Sequence, residues 1–194
     1  MQDLSRQNLE LKCKWNSHTT LPKECTKSEF VKPLKQYDTY YENCDGGRLK
    51  IRSQYEEKCD GETTHKAYAI YYKRPDTKMQ KFSNYEFYPI EDYKNFVKVF
   101  GSALKTEVIV IKERTLYYYK RDNKIHARIH LDVVENLGNF LEIEVVLEEA
   151  ENRTESSYQE AQEMMNELIH LLNIKDEDKI SKGYRELLIE KDAA

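Results

Sequence analysis

The stretch FLEIEVVLEE, residues 140–149, decides how the rest of the chain is interpreted. Its apolar side chains alternate with Glu142 and Glu144, which is the period of a β-strand. Side chains two residues apart in a strand point to the same face, so these two carboxylates lie side by side and repel each other. The stretch therefore predicts a strand whose acidic face needs a positively charged neighbour or a bound cation.

Similar alternation along the chain predicts a protein dominated by β-strands. Strands are predicted at 8–15, 36–41, 48–54, 68–73, 82–88, 107–114, 116–121, 125–134 and 140–146. Helices are predicted at 26–34, 90–100 and 156–172, with one or two more at 176–189. Strands joined by short turns form antiparallel sheets, and this many strands usually close into a barrel or a sandwich. No Pro/Gly-rich linker interrupts the pattern, so residues 1–194 are predicted to form a single domain.

The composition limits the class of protein. The 194 residues include 31 Lys and Arg against 35 Asp and Glu, a net charge of −4, which argues against DNA binding through bulk positive charge. The first residues lack the apolar core of a signal peptide, and no run approaches the length of a membrane span. The cysteines, at positions 13, 25, 44 and 59, form no C-x-x-C motif and indicate free thiols in a reducing compartment. These features favour a cytoplasmic protein that does not enter membranes.

Charged residues are concentrated on one face of the predicted strands. A sheet face exposed to water also alternates, but it usually carries a mixture of small polar and charged residues. Both interpretations, an exposed face and an enclosed site, stay open at this point. The cations of this face are Lys12, Lys14, Arg48, Lys50, Arg52, Lys73, Lys112, Arg114 and Arg128. Its acids are Glu10, Asp132, Glu142 and Glu144.

Rows of like charges on neighbouring strands are unfavourable unless a polyanion neutralises them. If the sheet closes with its charged face inward, the helices at 90–100 and 156–172 cover the apolar outer face and the interior becomes a charged tunnel. Lys and Arg bind phosphate oxygens, and carboxylates bind Mg²⁺ or Mn²⁺. The pattern therefore favours a site for a polyphosphate and a divalent cation. His126 and His130 on the same face are either general acid–base groups or hydrogen-bonded side chains without a chemical role.

Seven segments, in their order along the chain, resemble the CYTH superfamily of triphosphate tunnel metalloenzymes. The first, NLELK at 8–12, is similar to the E-x-E-x-K strand of that family. The others are QYDTYY at 36–41, GRLKIR at 47–52, YKRP at 72–75, IHLD at 129–132, LGNFLEIE at 137–144 and KGYRELL at 182–188. The resemblance covers nearly the whole chain and is greatest to the branch grouped with class IV adenylyl cyclases, which also includes thiamine triphosphatase relatives.

The resemblance implies an α+β fold, in which an eight-stranded antiparallel β-barrel forms a tunnel with a charged interior and helices packed outside. It also implies a small-molecule triphosphate partner (tripolyphosphate, ATP or thiamine triphosphate) and Mg²⁺ or Mn²⁺ as cofactor. By position, the metal ligands would be Glu10, Asp132, Glu142 and Glu144. The catalytic residues would be Glu10, Lys12, Glu142 and Glu144. The triphosphate would be bound by Lys12, Lys50, Arg52, Lys73, Lys112, Arg114, Arg128 and Lys182.

Residue 8 departs from the family pattern, because Asn8 stands where the first Glu is expected. An amide oxygen can coordinate a hard cation but adds no negative charge, which weakens one metal position. Three functions therefore stay open. They are a metal-dependent triphosphatase, which we favour, an adenylyl cyclase that makes cyclic AMP from ATP, and a protein that binds a triphosphate or nucleotide without turnover. The assembly is left open between a monomer and a homodimer.

Overall fold

A computed structural model describes residues 6–16, 21–28, 32–42, 46–58, 61–121, 126–147 and 153–193. Its strands are β1 Arg6–Lys14, β2 Thr26–Lys27, β3 Leu34–Tyr41, β4 Arg48–Glu57, β5 Thr63–Lys73, β6 Lys81–Pro89, β7 Thr106–Lys120, β8 His126–Val134 and β9 Gly138–Val146. Its helices are α1 Tyr93–Ala103, α2 Glu155–Leu171 and α3 Tyr184–Asp192, and a 3₁₀ turn, Asp176–Asp178, precedes α3.

Eight strands close into an antiparallel barrel. They are hydrogen-bonded in the order β7-β3-β4-β5-β6-β1-β9-β8, and β8 pairs back with β7. The short strand β2 pairs with Tyr117 and Tyr118 of β7, beyond the part of β7 that pairs with β3. The predicted eight-stranded antiparallel tunnel, with helices packed outside it, is therefore confirmed.

The main apolar core lies outside the barrel, under α2. The inward side of α2 consists of Ala161, Met164, Met165 and Leu168, all of which are buried. These side chains pack on the outward-facing apolar residues of β1, β8 and β9, which are Leu9, Leu11, Ile129, Leu141, Ile143 and Val145. The period of the 156–172 pattern predicted this face, and the helix begins where Thr154 accepts a hydrogen bond from the backbone N–H of Ser157.

The other two helices cover different parts of the barrel. On α1, Phe96 and Phe100 pack over Ile51 of β4 and Ala67 of β5. The α3 helix lies across one end, where Tyr184 and Leu188 contact Tyr40, Val110, Val134 and Phe140. We call this the α3 end of the barrel, and the opposite end the distal end. The tunnel is therefore capped on one side by the C-terminal helix.

Two predicted elements differ from the structure. The helix predicted at 26–34 is wrong in the part that the structure describes, because Thr26–Lys27 form β2 and Leu34 begins β3, while 29–31 lie outside the described residues. Pro33 explains this, since the residue before a proline is disfavoured in helical geometry. The strands predicted at 107–114 and 116–121 are one continuous strand, β7, which pairs with β3 along its first part and with β8 along its second. Thr115, placed between them in the prediction, lies within the β7–β8 ladder.

Two of the four cysteines lie within the described residues. Cys13 and Cys25 are free and buried. Cys44 and Cys59 lie outside the described residues. None of the helices in the described part of the chain combines the length and the apolar character needed to cross a bilayer.

The packing of α2 predicts how a truncation there affects stability. Leu168 is fully buried between α2 and the barrel, so Leu168→Ala should lower the free energy of unfolding by about 2–5 kcal/mol through lost burial and a cavity. Val99 on α1 is 66% exposed, and Val99→Ala should change it by less than about 0.5 kcal/mol. Urea denaturation of both variants measures the difference, and equal small effects would contradict the assigned core.

Candidate functional site

The inner face of the barrel encloses a cavity of about 370 Å³. Because side chains alternate along a strand, every second residue of each strand points into it. The charged groups that line it are mostly cationic, seven Lys and Arg against three Glu. They are Lys12, Lys50, Arg52, Arg74, Lys112, Arg114, Arg128, Glu10, Glu142 and Glu144.

The acidic part of the cavity lies where β1, β9 and β8 are neighbours. The strand register places Glu144 between Glu10 and Arg128, and Glu142 between Lys12 and His130. Ligand atoms of His130, Glu142 and Glu144 all lie within 4.8 Å of one another. This separation suits one divalent cation held by two carboxylates and an imidazole nitrogen. Glu142 and Glu144 are thus brought together as predicted, and His130 joins them.

Neighbouring cations keep the two carboxyl groups ionised. Burial acts to raise the pKa of Glu142, but Lys12, a hydrogen bond from His130 and Arg114 hold that pKa well below its usual value. Burial likewise opposes ionisation of Glu144, and Arg128 and His130 outweigh it, so the pKa of Glu144 is also lowered. The distances agree, with Lys12 Nζ 3.0 Å from Glu142 Oε1 and Arg128 Nη2 2.9 Å from Glu144 Oε2. Ionised carboxylates are the form that binds Mg²⁺ or Mn²⁺.

Glu10 is in a different environment. Its Oε1 accepts a hydrogen bond from Arg74 Nη1. Burial raises the pKa of Glu10 although Arg74 acts to lower it, and the nearby charge of Glu142 adds to the rise. Glu10 lines the cavity, as predicted, but within the described residues its contact is with a cation, and its role as a metal ligand stays a prediction.

A second charged cluster surrounds Asp38, which was not among the predicted site residues. Asp38 is buried, and its oxygens lie 2.9 Å from Lys50 Nζ, 2.6 Å from Arg52 Nε and 3.6 Å from Lys112 Nζ. Burial acts to raise the pKa of Asp38, but Arg52, Lys50 and Lys112 hold it well below its usual value. Burial and Arg52 lower the pKa of Lys50 to about 8. One carboxylate thus positions three cations that line the cavity.

Asp132 lies behind the cavity lining. It is fully buried and accepts two hydrogen bonds from Arg114, Nε to Oδ1 at 2.7 Å and Nη2 to Oδ2 at 2.6 Å. The hydroxyl of Tyr184 donates to the same Oδ2 at 2.9 Å. Both oxygens are therefore engaged by the protein. The geometry favours a role for Asp132 in holding Arg114 and Tyr184 over the metal contact implied by the resemblance.

Aromatic rings form the boundary of the cavity at the α3 end. The ring of Tyr184 lies 3.7 Å from Lys12 Nζ and 5.0 Å from Lys112 Nζ. Lys50 Nζ lies 5.4 Å and 5.6 Å from the rings of Tyr40 and Tyr72. Ring faces attract ammonium groups, more strongly when these are removed from water. The rings thus help to hold these lysines in place. Burial and Arg114 lower the pKa of Lys112 well below its usual value, against the opposing effects of Asp38 and Asp132.

Two predicted phosphate ligands lie elsewhere. Tyr72 points into the barrel, so the next residue on β5, Lys73, points outward, and Arg74 takes the predicted place at the cavity. Lys182 forms an ion pair with Glu190 on α3, at the surface. Tyr184, two residues further on, is the side chain of this tail that lines the cavity. Arg48, on the charged face in the sequence, binds Glu186 and Asp76.

Asn8, which stands where the family pattern has a glutamate, contacts a neighbouring cation. It is buried and lines the cavity. With its amide oriented to satisfy both ends, the oxygen accepts from Arg128 Nη2 at 3.1 Å and the nitrogen donates to the carbonyl of Gln7 at 3.1 Å. Asn8 therefore helps to position Arg128, which also binds Glu144.

The alternation of faces along a strand is a sequence signal that identifies further residues of the inner face on β3. In the stretch 36–41, Gln36, Asp38 and Tyr40 share one face, and they pair across β3–β4 with Gln54, Arg52 and Lys50. Because Lys50 and Arg52 were already on the charged face, their partners on β3 belong there too. Tyr184 carries no such signal, since only the packing of α3 places it in the barrel.

The cluster around Asp38 predicts a stability effect that depends on ligand. Asp38→Asn leaves three buried cations without their counter-charge and should lower the free energy of unfolding by about 3–5 kcal/mol. Tripolyphosphate should restore part of this loss, so the rise in melting temperature that it causes should be larger in the variant than in the native protein. Calorimetric melting with and without tripolyphosphate tests both statements, and a variant with native stability would contradict them.

Solved structures of other proteins share this fold. A conserved hypothetical protein from Pyrococcus furiosus is 25% identical, and the match covers 93% of this chain and 99% of the other with a TM-score of 0.67. PH1012 from Pyrococcus horikoshii is 22% identical, with coverage of 93% and 98% and a TM-score of 0.67. HpAC1 from Hippeastrum, described as a putative adenylyl cyclase with a dominant triphosphatase activity, is 12% identical, with coverage of 97% and 96% and a TM-score of 0.51. No curated protein matches the sequence.

The profile of the CYTH domain matches residues 6–184. This range begins with β1 and ends at the first residue of α3, so it contains all eight strands of the barrel and the residues that line the cavity. The chain belongs to the CYTH domain family.

Proposed function

We propose that the protein is a divalent-metal-dependent phosphohydrolase that acts on a triphosphate bound in the barrel. The observation that carries this proposal is that the candidate metal ligands and the cationic side chains are in direct contact within one cavity. The metal-binding group of His130, Glu142 and Glu144 lies beside Lys12, Arg114 and Arg128, with the cations around Asp38 on the same inner face. A chain of phosphates neutralises the cations while one of its phosphoryl groups meets the metal.

The cations would bind and orient the phosphate chain. A guanidinium has five N–H groups, so Arg52 and Arg114 can each hold their carboxylate and still donate to a phosphate oxygen. Charge placed in advance around the transferred phosphoryl group stabilises the transition state more than the ground state, because negative charge shifts among its oxygens during transfer. The fixed positions of these side chains, set by Asp38 and Asp132, provide that preorganisation.

The residues present fit Mg²⁺ or Mn²⁺. Glu142 and Glu144 supply ionised carboxylate oxygens, which both ions prefer, and His130 supplies a nitrogen. When bound, the ion would supply positive charge to the phosphoryl group and act as a Lewis acid. Lys12 keeps Glu142 charged, and Arg128 keeps Glu144 charged.

A second candidate function is triphosphate binding without turnover. Asn8 favours it, because its amide contributes no charge and is engaged with Arg128. Cyclisation of ATP is the third candidate, and it shares the same binding residues. Products distinguish the three: inorganic phosphate indicates hydrolysis, cyclic AMP with pyrophosphate indicates cyclisation, and saturable binding without product indicates a binding protein.

Glu142→Gln tests the metal assignment. We expect the native protein to release phosphate from tripolyphosphate, ATP or thiamine triphosphate with Mg²⁺ or Mn²⁺ and to lose this activity with a chelator. Glu142→Gln keeps the shape of the side chain but removes the charge, so metal-dependent turnover should fall by about 100-fold or more. Binding of Mn²⁺, titrated by electron paramagnetic resonance, should weaken in parallel.

The matched control is Glu113→Gln. Glu113 is on β7, and its side chain is 54% exposed and points away from the cavity. The control should retain native turnover and native Mn²⁺ affinity. Full activity in Glu142→Gln, or equal losses in the two variants, would remove Glu142 from the metal site.

Lys50 generates a prediction about pH. Burial and the charge of Arg52 lower the pKa of Lys50 to about 8, against the opposing effect of Asp38. Below this pKa the ammonium is charged and attracts the polyanion. Above it the charge is lost, so metal-free affinity for tripolyphosphate should fall from about pH 7 to about pH 9. In Lys50→Arg the charge persists, and the fall over this range should be about tenfold smaller.

Calorimetric titration of tripolyphosphate into both proteins measures this difference. The ionisation of the ligand is common to the two titration series and cancels in their comparison. Parallel pH profiles would show that Lys50 does not contribute a titrating charge to the site.

A further inference from the structure

One part of the outer barrel wall is not covered by a helix in the part of the chain that the structure describes. The main core under α2 lies on β1, β8 and β9, and α1 packs on β4 and β5. Between these two regions, the outward side of β3 and β7 carries large apolar side chains that are exposed. The exposed fractions are 38% for Tyr37, 45% for Tyr55, 50% for Ile109 and 53% for Val133.

These side chains form one continuous surface. The rings of Tyr37 and Tyr55 meet edge to face with their centroids 6.3 Å apart. Exposed apolar surface that is continuous over several strands is typical of a site that binds another protein. We call this surface the β3–β7 face, and it consists of Lys35, Tyr37, Thr39, Tyr55, Ile109, Ile111, Glu113 and Val133.

The strand register arranges the β3–β7 face in rows that run across the strands. In the first row, Tyr55 of β4, Lys35 of β3, Glu113 of β7 and Val133 of β8 are successive neighbours. Lys35 Nζ lies 3.9 Å from Glu113 Oε1, and the two side chains are 62% and 54% exposed. An exposed ion pair of this length contributes little to stability, so both charges are available to a binding partner.

Two further rows lie beside the first. Tyr37 pairs with Ile111 in the second row, and Thr39 pairs with Ile109 in the third. The β3–β7 face therefore has one charged row, with an apolar group at each end, next to two largely apolar rows.

The charged row is complementary to itself. A two-fold axis that runs along the strands, between β3 and β7, exchanges the two halves of each row. Lys35 of one copy then faces Glu113 of the other, and Tyr55 faces Val133. Each contact occurs twice, as in the interfaces of two-fold dimers, where both subunits use the same surface. The tyrosine of the second row faces the isoleucine of that row in the same way.

From this arrangement we infer that the β3–β7 face binds a second copy of the same chain and forms a two-fold symmetric homodimer. Sheets commonly pack face to face with their strands nearly aligned, which is the arrangement that this axis generates. A different protein would need its own row of complementary charges, whereas the row on this chain already provides them. The face points away from the cavity, so each barrel keeps a complete site of its own.

Ile109→Glu tests whether this face is the interface. Sedimentation equilibrium over a range of concentrations should show a native dimer at micromolar protein. The new charge lies on a surface that the dimer removes from water, so the dissociation constant should rise by about tenfold or more. Val99→Glu is the matched control, because Val99 lies on α1 and is 66% exposed, and it should dimerise like the native protein.

Two results of this experiment would overturn the inference. One is a native protein that stays monomeric even at high micromolar concentration, which would mean that a different protein or nothing occupies the face. The other is a native dimer whose dissociation constant is the same in Ile109→Glu, which would place the interface elsewhere.

Reversing single charges tests the two-fold arrangement itself. In a dimer of Lys35→Glu, two acidic groups face each other at both contacts, and in a dimer of Glu113→Lys two basic groups do so. Each variant alone should dimerise about tenfold more weakly or worse than the native protein, because like charges that face each other repel. An equimolar mixture of the two variants places opposite charges at both contacts. The mixed dimer should therefore form with a dissociation constant within about threefold of the native value.

The double variant Lys35→Glu/Glu113→Lys separates lost association from lost folding. It keeps opposite charges at residues 35 and 113 both within one chain and between copies, so it should dimerise like the native protein. Circular dichroism shows whether each variant is folded. The inference is overturned if the double variant is folded but monomeric, or if the mixture of folded single variants associates no better than either one alone.

Discussion

Neutralisation of buried like charges is the constraint on which the rest of this structure depends. A closed barrel that encloses cations must pair each with an acid or leave it for a ligand, because an unpaired buried charge is strongly unfavourable. Asp38 compensates Lys50, Arg52 and Lys112, and Asp132 compensates Arg114. Even with these acids counted, the interior holds more cations than carboxylates. The remaining positive charge favours the binding of a polyanion.

A polar interior requires the apolar faces of the strands to be buried on the outside. Two helices do this on opposite parts of the barrel, with the larger share under α2, where Met165 and Leu168 are fully buried. The third helix, α3, contributes a side chain to the cavity. It brings Tyr184 to the end of the cavity, where its hydroxyl binds Asp132 and its ring lies over Lys12. The C-terminal helix is therefore part of both the fold and the site.

The charged side chains are unevenly distributed over the strands that line the cavity. The candidate metal ligands lie on β8 and β9, and the cations that line the cavity lie on β1, β4, β7 and β8 and directly after β5. On β3, the neutral side chain of Gln36 donates a hydrogen bond to Gln54, which in turn donates to Glu56. Strand β3 therefore lines the cavity with Leu34, Gln36 and Tyr40, between β7 and β4, which contribute cations.

The sequence by itself determined what depends on local period. Alternation placed Glu142, Lys50 and Arg114 on one face of their strands, and the 3.6-residue period placed Leu168 in the core, because both patterns repeat at the spacing of the backbone. Only the tertiary structure decided what depends on strands and helices far apart in the chain. Closure of β8 onto β7 turned the charged face inward, and end-packing of α3 brought in Tyr184. Distances between such elements follow from how the surfaces pack together, which no short stretch of sequence encodes.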